Sequence, residues 1–269
     1  LLGVIKDELI EIREKYGDER RTEIHIDGQE TFEISDLIPD EEVTVTLTHI
    51  GYIKRTPLRY YRQQSRGGTG RRGIHVYEED YPTSVLIANN HDDLIFFTNQ
   101  GRVFRIKVYE VPEGTLQAKG RPIKNFINLR KDERVTTMIP MRREKQGEYV
   151  FLATERGYVK KTPLHKFRSA SKRGIIAIAL RNGDNLMGAL LTSGNDDIII
   201  AKSDGKAMRF NEKDVRSMGR QARGVRGSRV GKGESVISIV PYNPEKKLLT
   251  ITEKGYGKCV SLDEIHCQK

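Results

Sequence analysis

Apolar and polar residues alternate in short runs along almost the whole chain, and the runs recur. A β-prone stretch, two or three polar residues, a glycine and a second apolar or basic stretch appear five times. They read VTVTLTHIGYIKRTPL from Val43, DLIFFTNQGRVFRIKV from Asp93, EYVFLATERGYVKKTPL from Glu148, DIIIAKSDGKAMRF from Asp197 and LLTITEKGYGKCVSL from Leu248. Val, Ile, Phe, Thr and Tyr fill the flanks, and turns such as NQG, SDG and EKG supply a residue that takes positive φ, so each unit predicts a β-hairpin. The turn glycines Gly51, Gly101, Gly157, Gly205 and Gly255 are spaced by 50, 56, 48 and 50 residues. Such spacing marks a repeat and not five unrelated hairpins.

A second glycine follows at a nearly fixed offset. Gly70, Gly120 and Gly224 lie 19 residues after Gly51, Gly101 and Gly205, and Gly174 lies 17 after Gly157. Beyond each comes another apolar stretch: SVLIAN, TTMIP, LMGALLT and VISIVP. With about four strands per unit, the pattern predicts an all-β, propeller-like array of blades with short, protected edges.

The first 42 residues stand outside the repeat. Leu2, Ile5, Leu9, Ile12 and Tyr16 recur at helical spacing before Gly17, which predicts an amphipathic helix. From Asp27 to Glu42 there are seven acidic residues and no basic one. The expected organisation is a helical tail of a preceding region at 1–24, an acidic linker or leading strand at 25–42, and the β array at 43–269. The fifth repeat stops before its basic loop and a sixth is absent, so the chain is expected to be a fragment or the ordered part of a longer protein.

Composition narrows the class. No apolar run among the 269 residues approaches the roughly 18 needed to span a bilayer, and the N-terminus becomes charged too soon for a signal peptide. Two cysteines, Cys259 and Cys267, make no disulfide framework, which fits a reducing cytosol. They also match no common zinc spacing and are read as packed thiols. The six histidines do not pair at metal-ligand spacing. The HDD at 91–93 and NDD at 195–197 precede equivalent strands and read as turns held by Asp side chains. GTGRRG at 68–73 matches GxGxxG in letters alone, since neither a buried strand precedes it nor an amphipathic helix follows. The sequence therefore offers neither a catalytic constellation nor a metal site.

Charge is more telling. Lys and Arg number 47 against 37 acidic residues, a net charge of +10. Four windows around the second glycines, 62–73, 117–124, 165–173 and 216–229, hold sixteen basic residues and no acidic one. The remainder has 31 basic against 37 acidic residues and is net negative. Equivalent loops of a blade array occupy equivalent positions on its rim, so these cations predict a continuous positive belt. Arg interleaved with Gly and Ser suits phosphate contacts, and no base-reading module is present, so the partner is expected to be a duplex backbone bound without sequence preference.

The segment QSRGGTG, residues 64–70, resembles the QRRGGKG box of the C-terminal domain of the DNA gyrase A protein, and VTLTHIGYIKRTPL before it looks like that domain's first blade. TPLHKF, SDGKAMRF and RSMGRQARGVRG are similar to its later blades. The resemblance implies a β-pinwheel, normally of six four-stranded blades that exchange strands, wrapping DNA around a basic rim so that the holoenzyme introduces negative supercoils. Carried over, the DNA-binding residues would be Gln64, Ser65, Arg66, Gly67, Gly68, Thr69 and Gly70 with Arg71 and Arg72, then Lys119, Arg121, Lys172, Arg173, Arg220, Arg223 and Arg226. Ser65 and Thr69 stand where the usual box has basic residues.

The resemblance further implies part of an isomerase whose catalytic tyrosine lies elsewhere, so this chain is itself non-catalytic. It implies no cofactor here, with ATP and magnesium used elsewhere in the holoenzyme. Partners would be duplex DNA and, in a bacterial, nucleoid-associated cytoplasmic A2B2 heterotetramer, the rest of the gyrase A protein together with the gyrase B protein. The isolated domain would be monomeric and away from membranes. Two alternatives share these features: the corresponding domain of topoisomerase IV, and a propeller scaffold for an acidic protein. The absence of Trp and of any concentrated aromatic anchor counts against the scaffold.

Overall fold

A computed structural model describes residues 2–18, 34–61, 74–141 and 149–268. The chain divides into two compact units, Leu1–Leu37 and Ile38–Lys269. In the first, helix α1 (Leu2–Tyr16) carries Arg13 and Lys15 in its last turn, where cations complement the helix dipole. Gly17 ends it by donating its N–H to the Arg13 carbonyl at 2.8 Å, a position where a Cβ would come within 2.4 Å of that oxygen.

The second unit is all β with short 3-10 turns. Its strands in chain order are β1 (Glu42–Thr48), β2 (Tyr52–Pro57), β3 (Pro82–Asn89), β4 (Asp93–Thr98), β5 (Arg102–Lys107), β6 (Arg121–Pro122), β7 (Val135–Met141), β8 (Tyr149–Thr154), β9 (Tyr158–Pro163), β10 (Ile175–Ile176), β11 (Leu186–Thr192), β12 (Asp197–Lys202), β13 (Ala207–Asn211), β14 (Val225–Arg226), β15 (Val236–Pro241), β16 (Lys247–Ile251) and β17 (Gly257–Ser261). Among the described residues they form sheets in the orders β3-β1-β2-β6, β10-β5-β4-β7, β11-β8-β9-β14, β13-β12-β15 and β16-β17.

The five hairpins are the five repeats. Their turn glycines Gly51, Gly101, Gly157, Gly205 and Gly255 have φ between +72° and +96°, the region that L-residues avoid and a tight hairpin requires. A complete repeat supplies four strands, as expected, and the strands are exchanged between blades as the resemblance implies. A four-stranded sheet takes three strands from its own repeat and the fourth from the next: β6 follows the second hairpin yet pairs with β2, β10 pairs with β5, and β14 pairs with β9.

The cores lie between blades. Along β4, Leu94 and Phe96 pack toward blade one with Val43, Val45 and Ile53, whereas Ile95 and Phe97 pack toward blade three with Val150 and Leu152. Along β8 the pattern repeats, with Phe151 and Ala153 facing Ile198 and Ile200 of blade four. A central strand buried on both faces needs an unbroken apolar run, which is why these strands read LIFF, VFLA and III. The edge strands β3, β7, β11 and β15 touch one another in succession and so share one side of the array.

Blade five has only β16 and β17 among the described residues, and Leu249, Ile251 and Tyr256 on it are exposed. Both cysteines are exposed as well, because each lies in or just beyond this uncovered pair of strands. The reading of packed thiols is thereby overturned.

Candidate nucleic-acid interface

Each described basic loop begins after a hairpin and runs across the preceding blade. Crossing brings it against main chain, and Gly120, Gly174 and Gly224 sit at the closest approach. Gly120, Gly174 and Gly224 have φ of +88°, +72° and +80°. A Cβ would lie 2.6 Å from the Ile53 carbonyl oxygen at Gly120, 2.4 Å from the Phe104 ring at Gly174 and 2.5 Å from the Val159 oxygen at Gly224. Conformation and space both exclude a side chain, which is the physical content of the repeated glycine.

Under each of these three loops lies a cation of the preceding blade. The Lys54 ammonium donates to the carbonyls of Thr115 (3.0 Å) and Leu116 (2.7 Å). Lys160, fully buried, donates to those of Gly219 (3.0 Å), Arg220 (2.6 Å) and Ala222 (3.4 Å), and to Ala177 at 2.6 Å. Arg102 donates to the Arg173 carbonyl at 2.6 Å and the Asn128 carbonyl at 3.2 Å. Burial pulls the Lys54 ammonium down to about 8; burial and then the nearby Arg220 guanidinium pull Lys160 down to about 7.

The loops also join one another. The Asn128 N–H donates to the Lys172 carbonyl at 2.9 Å, and the Ala179 N–H to the Ala222 carbonyl at 3.3 Å. The stretch beyond each of the windows 117–124 and 165–173 thus bonds to the next window, and the windows at 117–124, 165–173 and 216–229 lie on successive blades. Lys119, Arg121, Lys172, Arg173, Arg223 and Arg226 are exposed there, as are Lys124, Lys166, Arg168, Arg216 and Arg229 of the same windows. Arg220 is half-buried and turns its guanidinium toward the Ile176 carbonyl at 3.5 Å. Lys172 is ion-paired with Glu110, the one sequence-selected cation here with a carboxylate partner among the described residues. Gln64, Ser65, Arg66, Gly67, Gly68, Thr69, Gly70, Arg71 and Arg72 lie outside the described residues.

Aromatic rings join the cations at this edge, which composition did not foretell. Arg181 lies 4.0 Å and Arg226 5.6 Å from the Tyr158 ring centre, and Arg226 also donates to the Tyr158 hydroxyl at 3.1 Å. That hydrogen bond holds the Tyr158 hydroxyl below its usual range, with the charges of Arg181 and Arg226 acting the same way. Lys119 sits 3.9 Å over the Tyr77 ring, which packs on Tyr52. The available signal was positional: Tyr52, Tyr158 and Tyr256 each follow a turn glycine, and Lys54 and Lys160 each stand three residues after one.

The Asp residues of HDD and NDD hold turns. Asp92 accepts from the Asn89 N–H and Asp196 from the Ser193 N–H, both at 2.8 Å.

Comparison with known proteins gives three concordant results. The family described as DNA gyrase C-terminal domain, beta-propeller, matches residues 44–89, 92–140, 148–193, 196–243 and 246–269. The DNA gyrase A protein of Salmonella typhimurium is 44% identical over 264 residues, 98% of this chain and 30% of that protein. The chain therefore spans under a third of the length of this relative. Among solved structures, the C-terminal domain of DNA topoisomerase IV superposes with a TM-score of 0.70 at 28% identity, covering 86% of this chain and 71% of that one. A DNA gyrase A C-terminal domain superposes with a TM-score of 0.68 at 28% identity, covering 85% and 74%. Repeats, exchanged strands and sequence agree, and the chain belongs to the DNA gyrase C-terminal domain, beta-propeller, family.

Proposed function

We propose that this chain binds duplex DNA along the edge formed by its basic loops and wraps it, as the C-terminal domain of a gyrase A protein. The carrying observation is that the three described windows lie on successive blades and, Arg220 apart, present every cation exposed, with no Asp or Glu among them. Such an edge offers phosphates a track of guanidinium and ammonium groups and offers base edges nothing specific, so binding is read as backbone-directed. The residues proposed to meet phosphate are Lys119, Arg121, Lys172, Arg173, Arg223 and Arg226, with the box residues 64–72 at the first blade. Half-buried Arg220 is assigned to shaping its loop.

In the whole enzyme, a type IIA topoisomerase, the wrap would present a neighbouring DNA segment for strand passage. ATP and magnesium would act in other regions, in a bacterial cytoplasmic assembly with the gyrase B protein. The corresponding domain of topoisomerase IV shares the architecture, and the 44% identity to a gyrase A protein supports the gyrase assignment.

Ligation of nicked circular DNA with increasing protein, followed by reading the linking number on a gel, tests the wrap. The expected result is a positive shift that grows with protein. An unchanged linking number at saturating binding would overturn wrapping.

A further inference from the structure

The buried cations beneath the loops are not explained by phosphate binding, because they face inward. A lysine is an expensive residue to bury, and without hydrogen bonds its ammonium is strongly disfavoured. Among the described residues, the oxygens within hydrogen-bonding reach of the Lys160 Nζ are all main-chain, and three of them belong to the loop of the following blade. The fourth, Ala177, belongs to the stretch beyond the loop of its own blade. Lys54 gathers two carbonyls of the equivalent loop two sheets earlier. Between them, Arg102 reaches the Arg173 carbonyl with one guanidinium nitrogen while another, 2.7 Å from Glu133, is held in place. Three consecutive blades solve the same problem, two with lysine from one position of the repeat and one with arginine from another.

We propose that Lys54, Arg102 and Lys160 are positioning residues for DNA binding: each buried cation draws the carbonyls of the next blade's basic loop inward, and so fixes the loop in the shape that faces its exposed cations toward phosphate. The inference rests on the DNA-wrapping reading and adds to it a set of cations that act without touching DNA. Lys160 is the most informative because the loop over it carries Arg223 and Arg226 exposed, with Arg220 as the charged group acting on its ammonium.

The test compares the 269-residue chain with its Lys160→Met, Lys160→Arg and Lys54→Met variants. Affinity for a duplex of mixed sequence is measured between 50 and 200 mM salt, and amide hydrogen exchange is followed residue by residue. Lys160→Met is expected to keep protection in β8 and β12, to speed exchange at residues 219–224, and to weaken binding about tenfold or more. Its salt slope should fall by about two, since each lost phosphate contact removes about 0.9, whereas removing a lone charge would change it by at most about one. Lys160→Arg keeps the charge and donors and should restore part of the affinity. Lys54→Met should do for residues 113–121 what Lys160→Met does for its loop, and it carries the test should Lys160→Met fail to fold. Wild-type binding that matches a folded methionine variant in affinity, slope and loop exchange would overturn the positioning role alone. Wild-type binding without salt dependence would instead overturn the DNA reading beneath it.

Discussion

The guanidinium of Arg102 lies 2.7 Å from the carboxylate of Glu133, and the Glu133 side chain is entirely shielded from solvent. The same carboxylate accepts from the Thr98 hydroxyl at 2.6 Å and the Arg130 N–H at 2.8 Å. The pair thus ties the second hairpin to the turn that leads into β7. Glu212 does similar work in blade four, accepting from Thr192 and from the N–H groups of Gly194 and Asp196, each at 2.8 Å.

Removing one partner of such a pair leaves the other buried and uncompensated. Arg102→Met is expected to cost about 3 to 5 kcal/mol of stability, read from urea unfolding. A loss below about 1 kcal/mol would show that Glu133 is satisfied without it.

Two glycines with the same φ of +80° separate space from conformation. At Gly205 a Cβ meets nothing within 4 Å, and Gly205→Ala should cost about 1 kcal/mol for conformation alone. At Gly224 the Cβ would lie 2.5 Å from the Val159 oxygen, so Gly224→Ala should cost about 2 to 4 kcal/mol and detach β14. Equal losses in thermal unfolding would refute the close-approach account.

Salt should dominate DNA affinity. If roughly 6 to 10 phosphates are neutralised, affinity falls about 10³ to 10⁵ fold between 50 and 200 mM salt. Alanine at Arg121, Arg173 or Arg223 should lower the logarithmic slope by about 0.9 each and weaken all duplex sequences alike. Selective loss on one sequence would point to base contacts.

Protons should report on Lys160. Its ammonium, ordinarily near 10.5, is pulled down to about 7 by burial, so between those values the unfolded chain binds more protons than the folded one. Stability relative to Lys160→Met is therefore expected to rise with pH from about 7 to about 10.5 and to be level below. Urea midpoints of both proteins across pH 6 to 10 check this. A difference level throughout would mean that the carbonyls keep the lysine charged.

The hairpins were legible because a tight turn must place glycine where φ is positive, and Gly51 to Gly255 recur for that reason. The basic windows were legible because Asp and Glu are absent from them. The ownership of the loops was not: β6, β10 and β14 are two residues long and pair across distant positions, which no local periodicity records. Alternation does not single out Lys54 and Lys160, because it marks an inward side only when one face of a strand is wet, and β2 and β9 are covered on both. Cys259 and Cys267 failed in the opposite sense, since the hairpin of β16 and β17 that holds the one and precedes the other looks apolar and yet lies uncovered.

The exchanged strands also govern the order in which the molecule is completed. β14 joins β9 through residues such as Tyr158 and Arg226, which are 68 positions apart. A growing chain emerges from its N-terminus, so a blade waits, one strand short, until the following hairpin and loop have been made. Assembly then proceeds as a relay, each newly finished repeat closing the sheet before it. A stop placed after any hairpin but the first would leave two sheets unfinished, the last one made and the one it was about to seal.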